Sequence, residues 1–419
     1  MENRESNKPI SEATEIVLRD LTGLLQKKLG YNLIVDNFTT TNLVPWGENY
    51  GSTLLKVDAL IRRGGQSSEP EELALAAKMI PSTEFQRVMF DSSYTFPKEI
   101  YMFQNIAPAY AAIEIECGIP KSEVYNGLPQ LFGSRLSLKE GVDKFDKDAV
   151  ILMENLRAKN YYCCDRFDGL DLAHSRMVVE ELARFHALGI AVKFKKPVLF
   201  EEFKYRAKSM VIDVEKISNN VDKLMIKALR SIPTTLPYLS RIEEALDRCI
   251  NRFHIDDIPS EPWGTIGHTD LWTNNVMFKK NASGTNPENI KFIDFQNYLY
   301  MNPLRDLLFL LFSSCIPKIG NAHFTELVDL YYQKFISHIG RLGINGNLFT
   351  RDAFDKQLDD AAHREYFHCM FMTRVISANP EAEASKGNPE LMFQAKTWPQ
   401  DCCNRMADIT LQYVEKNWM

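Results

Sequence analysis

A small strand-rich domain followed by a larger, mainly helical one, an α+β architecture, is what this sequence predicts, and three observations carry it. Residues 33–79 hold short apolar and alternating runs, residues 175–250 and 304–418 repeat apolar positions at helical spacing, and one strand-type island, 275–295, interrupts the helical half. At 419 residues the chain is also longer than a single hydrophobic core usually grows, so two domains are expected. The boundary falls after the apolar run Val150 to Met153, giving an N-terminal lobe over 1–153 and a C-terminal lobe over 154–419.

In chain order, Ile16, Val17, Leu21 and Leu24 recur on one face, which predicts a helix over 11–28. Leu33-Ile34-Val35 and the alternating segment 53–61 read as strands, with Arg62-Arg63-Gly64-Gly65 as the turn that follows. The run Leu73 to Lys78 is expected as a further strand, although its Glu, Ala and Leu content favours a helix. Residues 96–106 return to helical spacing, and an amphipathic helix runs from Ser175 through Val178, Leu182, Phe185 and Leu188. In the island, Val276-Met277-Phe278-Lys279 and Ile290-Lys291-Phe292-Ile293 flank a polar loop and should pair as a hairpin.

Composition excludes several classes. Hydrophobic residues at 45% and charged residues at 25% are those of a folded globular chain, and a net charge of −6 without any long basic block gives no footprint for nucleic acid or an anionic membrane. The longest apolar stretch is too short for a bilayer span, and no secretory signal opens the chain. None of the eight cysteines sits in a C-x-x-C pair, so reduced thiols in a cytoplasmic protein are expected.

The chemistry-bearing signal is His268-Thr269-Asp270-Leu271-Trp272-Thr273-Asn274-Asn275, which fits H-x-D-x-x-x-x-N, the catalytic-loop spacing of kinases. That spacing supplies an Asp able to accept a hydroxyl proton and a carboxamide five residues later to face a nucleotide-bound metal. The predicted hairpin brings Asn275, before its first strand, beside Asp294, after its second, and one carboxylate with one carboxamide suits Mg²⁺. Upstream, Gly47-Glu48-Asn49-Tyr50-Gly51-Ser52 is a candidate phosphate-covering loop, its two glycines letting backbone N–H groups approach phosphate oxygens. As a strand, the 73–78 run puts Lys78 on one face with Ala76 and Ala74, leaving room for an adenine ring, and Glu99 is a candidate partner for Lys78.

Taken in order, these elements resemble the two-lobed protein-kinase-like fold. The blocks GENYGS, FPKEIYMF, DRFDGLDLAH, EELARFHALG, GHTDLWTNNVMF and KFIDFQ are similar to those of the ecdysteroid-kinase-like, or CHK-kinase-like, family, a relative of choline kinases and aminoglycoside phosphotransferases. The resemblance implies an ATP- and Mg²⁺-dependent enzyme that phosphorylates a hydroxyl of a steroid or a foreign small molecule. It implies Asp270 as catalytic base, Asn275 and Asp294 as Mg²⁺ ligands, and Lys78 held by Glu99 on the phosphates. Gly47, Asn49, Gly51 and Ser52 would then form the covering loop, Ala76 would face adenine, and a hinge from Met153 to Leu156, including Glu154, would meet the base.

Two departures stand out: Thr269 where the family usually has Gly, and the Ala-rich run before Lys78. A protein kinase is disfavoured. Thr269 replaces the usual Arg, Phe295-Gln296 replaces Phe-Gly, and Pro303, nine positions after Asp294, leaves no room for a peptide-binding platform. A choline- or aminoglycoside-type acceptor and a non-catalytic nucleotide-binding pseudokinase are the alternatives. His186 is read as a core histidine or one that supports the site from behind, not as a catalytic one. Asp306 is expected to cap or orient the metal loop from a helix start, and Trp272, Tyr366, Phe367, His368, Met370 and Phe371 are candidates to line the acceptor pocket, with ordinary core packing the favoured reading.

Overall fold

The computed structural model describes residues 16–44, 51–139, 145–210, 221–250, 258–284, 286–378 and 398–419. The chain divides into two units, Met1–Pro97 with Gln130–Asn155, and Lys98–Pro129 with Leu156–Met419. Residues 98–129 therefore group with the helical unit, whereas a single cut at 153/154 had left them with the strands. The reason lies in their partners: Tyr110 packs edge-on against Phe185, and Arg184 forks onto the buried carboxylate of Glu114.

The first unit is a five-stranded antiparallel sheet in the order β1-β2-β3-β5-β4, with β1 Ile34–Asn42, β2 Thr53–Arg62, β3 Glu71–Met79, β4 Leu131–Arg135 and β5 Val150–Glu154. Strand β3 overrides its helix propensity because it is central, with Lys78 opposite Leu54 on one side and Ile151 on the other. Leu75, Ala77 and Met79 point into a core shared with Val57, Ile61, Val150 and Leu152, so Ala76 and Lys78 alternate to the opposite face. Helix α1, Leu21–Leu29, closes this core with Leu21, Leu24 and Leu25, and starts later than its periodicity suggested because Asp20, in the left-handed region, caps it through Gly23 N–H. Gly133 lets α1 approach the sheet, since a Cβ there would lie 2.6 Å from the Leu24 carbonyl.

The second unit is mainly helical, its long helices being Leu172–Lys195, Phe324–Arg341 and Arg351–Ile376. The first begins at Leu172, three residues before the expected start at Ser175, and Asp171 caps it through the His174 N–H. The predicted hairpin forms as β8, Val276–Lys280, and β9, Pro287–Phe292, with the two-residue strand β6, Tyr161–Tyr162, along the other side of β8. A second pair, β7 at Thr265–Gly267 and β10 at Leu299–Met301, was not expected, since three residues carry no readable periodicity. Tyr366 and Met370 are fully buried and the His368 ring stacks 4.2 Å from Phe309, so these side chains belong to the helical core.

His338 gives this unit an acid-sensitive point. Burial, with Arg184, Arg341 and Lys334 nearby, pushes its pKa down to about 4. The folded chain therefore binds fewer protons at His338 than the unfolded chain below the ordinary value near 6.5, and stability falls as pH drops from there toward 4. His338→Gln is expected to remove roughly 2 kcal/mol of the stability lost between pH 7 and pH 4.5. Parallel thermal melts of both proteins at the two pH values check this, and equal pH slopes would refute it.

Candidate active site

The two short strand pairs build the site. Residues 268–275 connect β7 to β8, and residues 293–298 connect β9 to β10. Because β7 pairs with β10 and β8 with β9, the two connections lie side by side. Val276 faces Phe292, which sets Asn275 opposite Ile293, with Asp294 one position beyond; the Ile293 N–H donates to the Asn275 carbonyl at 3.0 Å. The register carried on sets Asn274, not Asn275, opposite Asp294, and Asp294 adopts a left-handed conformation, φ 65°. Left-handed backbone is uncommon outside glycine, though Asp tolerates it, and such conformations concentrate at functional sites.

His268 fastens the two connections together. Its Nε2–H donates to the Ile293 carbonyl at 3.0 Å and its Nδ1 accepts the Asp270 N–H at 3.3 Å, which fixes a neutral ring. Burial holds its pKa below the ordinary range, in agreement with that tautomer. The buried Phe295 ring lies 4.4 Å from the His268 ring, and the Phe295 N–H donates to Glu99 Oε1 at 3.2 Å. Glu99, 1% exposed, is thereby tied to the turn that follows Asp294.

The half-buried Asp270 accepts from Asn275 Nδ2 through both its backbone carbonyl, at 2.7 Å, and Oδ2, at 3.1 Å. Both bonds use the carboxamide nitrogen, so they orient the group, and among the described residues the Asn275 carboxamide oxygen accepts no hydrogen bond. The oriented amide oxygen of Asn275 and the carboxylate of Asp294 are hard donors of the kind a small divalent cation takes.

Asp306 holds this loop from beneath. It sits in the first turn of the helix Leu304–Leu310, 1% exposed, and its Oδ1 accepts the Thr269 N–H at 2.7 Å while Oδ2 accepts the His268 N–H at 2.5 Å. His186 Nε2–H donates to the same Oδ2 at 3.1 Å, and Tyr331 OH lies 2.8 Å from His186 Nδ1. Asp306 therefore supports the Asp270 loop from the start of a helix, as its place after Pro303 leads one to expect. Gly267 makes the approach possible, since a Cβ there would stand 3.0 Å from Asp306 Oδ2 and 2.4 Å from Met301 Cε.

In the first unit, Gly51 and Ser52 directly precede β2, Lys78 and Ala76 share one face of β3, and Glu154 ends β5. The Glu154 N–H donates to the Gln130 carbonyl, and Glu154 Oε1 accepts the Gln130 N–H at 2.8 Å. Leu156, in the second unit, is buried, and its carbonyl accepts from Lys159 and Tyr161. Gly47 and Asn49 lie outside the described residues.

An antiparallel five-stranded sheet, followed by a helical unit that presents Asp270, Asn275 and Asp294 on paired connections, is the kinase-like fold. The sequence profile of the ecdysteroid kinase-like family matches residues 46–344, and the chain belongs to that family. A comparison with curated proteins finds no match. Among solved structures, the chain is similar to an ethanolamine kinase of Plasmodium vivax, 12% identical with a TM-score of 0.35, covering 90% of this chain and 87% of that one. It is also similar to a GDP complex of an aminoglycoside 2'-phosphotransferase, 10% identical with a TM-score of 0.42, covering 94% and 98%. A choline/ethanolamine kinase family protein from Mesorhizobium loti is 11% identical with a TM-score of 0.34, covering 90% and 88%.

Proposed function

We propose that this protein transfers the γ-phosphoryl group of ATP to a hydroxyl of a small molecule, with a steroid of the ecdysteroid type or a foreign hydroxylated compound as acceptor. The observation that carries the reading is the pairing of the two connections, with Asn275 bound to Asp270 and Ile293 bound to Asn275 next to Asp294. The family to which the chain belongs supports the same chemistry.

The acceptor hydroxyl lies against the Asp270 carboxylate, which takes its proton as the oxygen attacks the terminal phosphorus in line and the bond from that phosphorus to the departing ADP oxygen breaks. Asn275 Nδ2 keeps that carboxylate oriented, and His268 and Asp306 keep the backbone beneath it fixed. Asn275 Oδ1 and the Asp294 carboxylate would hold Mg²⁺, which when bound offsets charge on the phosphate oxygens. Lys78, Ala76, the loop of Gly47, Asn49, Gly51 and Ser52, and the hinge residues Glu154 and Leu156 are proposed nucleotide contacts on the strength of the sequence motifs. The pairing of Lys78 with Glu99 has the same support. Helix Leu304–Leu310 begins ten residues after Asp294, and so short a connection favours a small acceptor over a peptide. A cytoplasmic setting is proposed on the sequence alone; among the described residues no helix is long and apolar enough to cross a membrane.

The test is mass spectrometry of a panel of hydroxylated steroids and plant metabolites incubated with the protein, ATP and Mg²⁺, where an ATP-dependent gain of one phosphate is expected. Thermal stabilisation by ATP and Mg²⁺ without transfer or hydrolysis would instead mark a non-catalytic nucleotide binder. In the same thermal assay, Asp294→Asn is expected to raise the Mg²⁺ concentration for half-maximal stabilisation by roughly tenfold or more. An unchanged requirement would remove Asp294 from the metal site.

A further inference from the structure

Thr269 has a conformation that its residue type resists. Its φ is +66°, the left-handed region, where a β-branched side chain is a true outlier and glycine would sit without strain. Something must over-determine it. Part of the cause is Asp306, which draws the Thr269 N–H to its Oδ1 at 2.7 Å.

That same turn breaks a ladder. In the β7/β10 pair Gly267 faces Leu299, so the register carried forward sets Thr269 opposite Asn297. The left-handed turn removes the Thr269 N–H from this ladder and commits it to Asp306. The Asn297 carbonyl is nevertheless paired, because Thr269 Oγ1–H donates to it at 3.0 Å. A side-chain hydroxyl thus stands in for the backbone donor that the turn took away. It joins the residue next to Asp270 to the last residue of the turn Phe295–Asn297, which begins just after Asp294.

We infer that Thr269 is a positioning residue: its hydroxyl locks the Asp270 loop to the Asp294 turn and so holds the proposed base and the proposed metal carboxylate in fixed relation. Glycine would satisfy the backbone and lose the lock. Valine would keep the shape and the strain, and lose it too. Serine would retain it. The inference rests on the proposed function only for its metal readout.

Three full-length variants, Thr269→Ser, Thr269→Val and Thr269→Gly, separate these effects. In the ligand-free protein, amide exchange over residues 295–298 is expected to quicken about tenfold in the Val and Gly variants and to stay at the wild-type rate in Ser, on the scale of one lost hydrogen bond. Equal exchange in all four proteins would overturn the lock. The Mg²⁺ concentration for half-maximal thermal stabilisation by ATP is expected to rise about threefold to tenfold in Val and Gly and to be restored in Ser. Faster exchange with an unchanged Mg²⁺ requirement would overturn the positioning role and leave Thr269 a purely structural tie. If ATP and Mg²⁺ fail to stabilise even the wild-type protein, the kinase reading falls, while the exchange readout still decides the lock.

Discussion

Asp270→Asn is expected to lower phosphoryl transfer roughly a thousandfold, the scale of a lost general base, while leaving the fold and the thermal stabilisation by ATP and Mg²⁺ within a few-fold of wild type. The substitution is close to isosteric. The Asp270 carbonyl still accepts from Asn275 Nδ2 and the new carboxamide oxygen can replace Oδ2, so the two bonds that orient Asn275 survive. What disappears is a group able to take up the acceptor's proton. Single-turnover measurement with an acceptor identified by the mass-spectrometric screen separates loss of chemistry from loss of binding. Turnover at the wild-type level would remove Asp270 from the centre of the reaction.

Asp270 and Asn275 were legible because their spacing along one connection is a local property, and the hairpin behind them because β8 and β9 carry enough apolar residues to announce two strands. Register was not legible to one residue. Where the ladder ends depends on the backbone bond between Ile293 and Asn275, which no side chain encodes, and the left-handed turn at Asp294 is the consequence. Strand β3 shows the reverse case, in which the strand expectation held against local propensity because both neighbours in the sheet pair with it. The pair β7 and β10 escaped notice, although it sets the second half of the site, because three-residue strands have no pattern to read.

Asp306 was legible as a residue that orients the loop from a helix start, and its partners were not. Its partners are two backbone N–H groups 37 and 38 positions away, together with a histidine 120 positions away, and backbone donors leave no trace in residue identity. The histidine was readable as a core or supporting residue, without its partners. Its ring is fully buried and bridges Asp306 to Tyr331, so it is a core side chain whose polar atoms complete the support of the loop.

Asp306→Ala is accordingly expected to have the largest effect on stability. Removing the carboxylate strands the His268 and Thr269 N–H groups and the His186 Nε2–H in a site that is 0–1% exposed at Asp306 and His186. Each buried orphan donor costs about 1–3 kcal/mol, and the cavity is too polar to be refilled by neighbouring apolar atoms. A loss of about 4 kcal/mol follows, equivalent to a melting point lower by roughly 10 °C for a unit of this size. Asp306→Asn should fall between, because its single carboxamide oxygen can serve one backbone donor while its NH₂ faces the others. The left-handed turn at Thr269 is held partly by the bond that Asp306 accepts, so transfer should fall alongside stability in both variants, at temperatures well below either melting point. The decisive comparison is His186→Phe, which keeps both backbone bonds to Asp306 and removes the ring donor together with the acceptor of the Tyr331 hydroxyl: it should cost less than Asp306→Ala and leave transfer largely intact. If Asp306→Ala melts within 2 °C of wild type, the two amides are satisfied some other way, and the support of the Asp270 loop lies elsewhere in the unit.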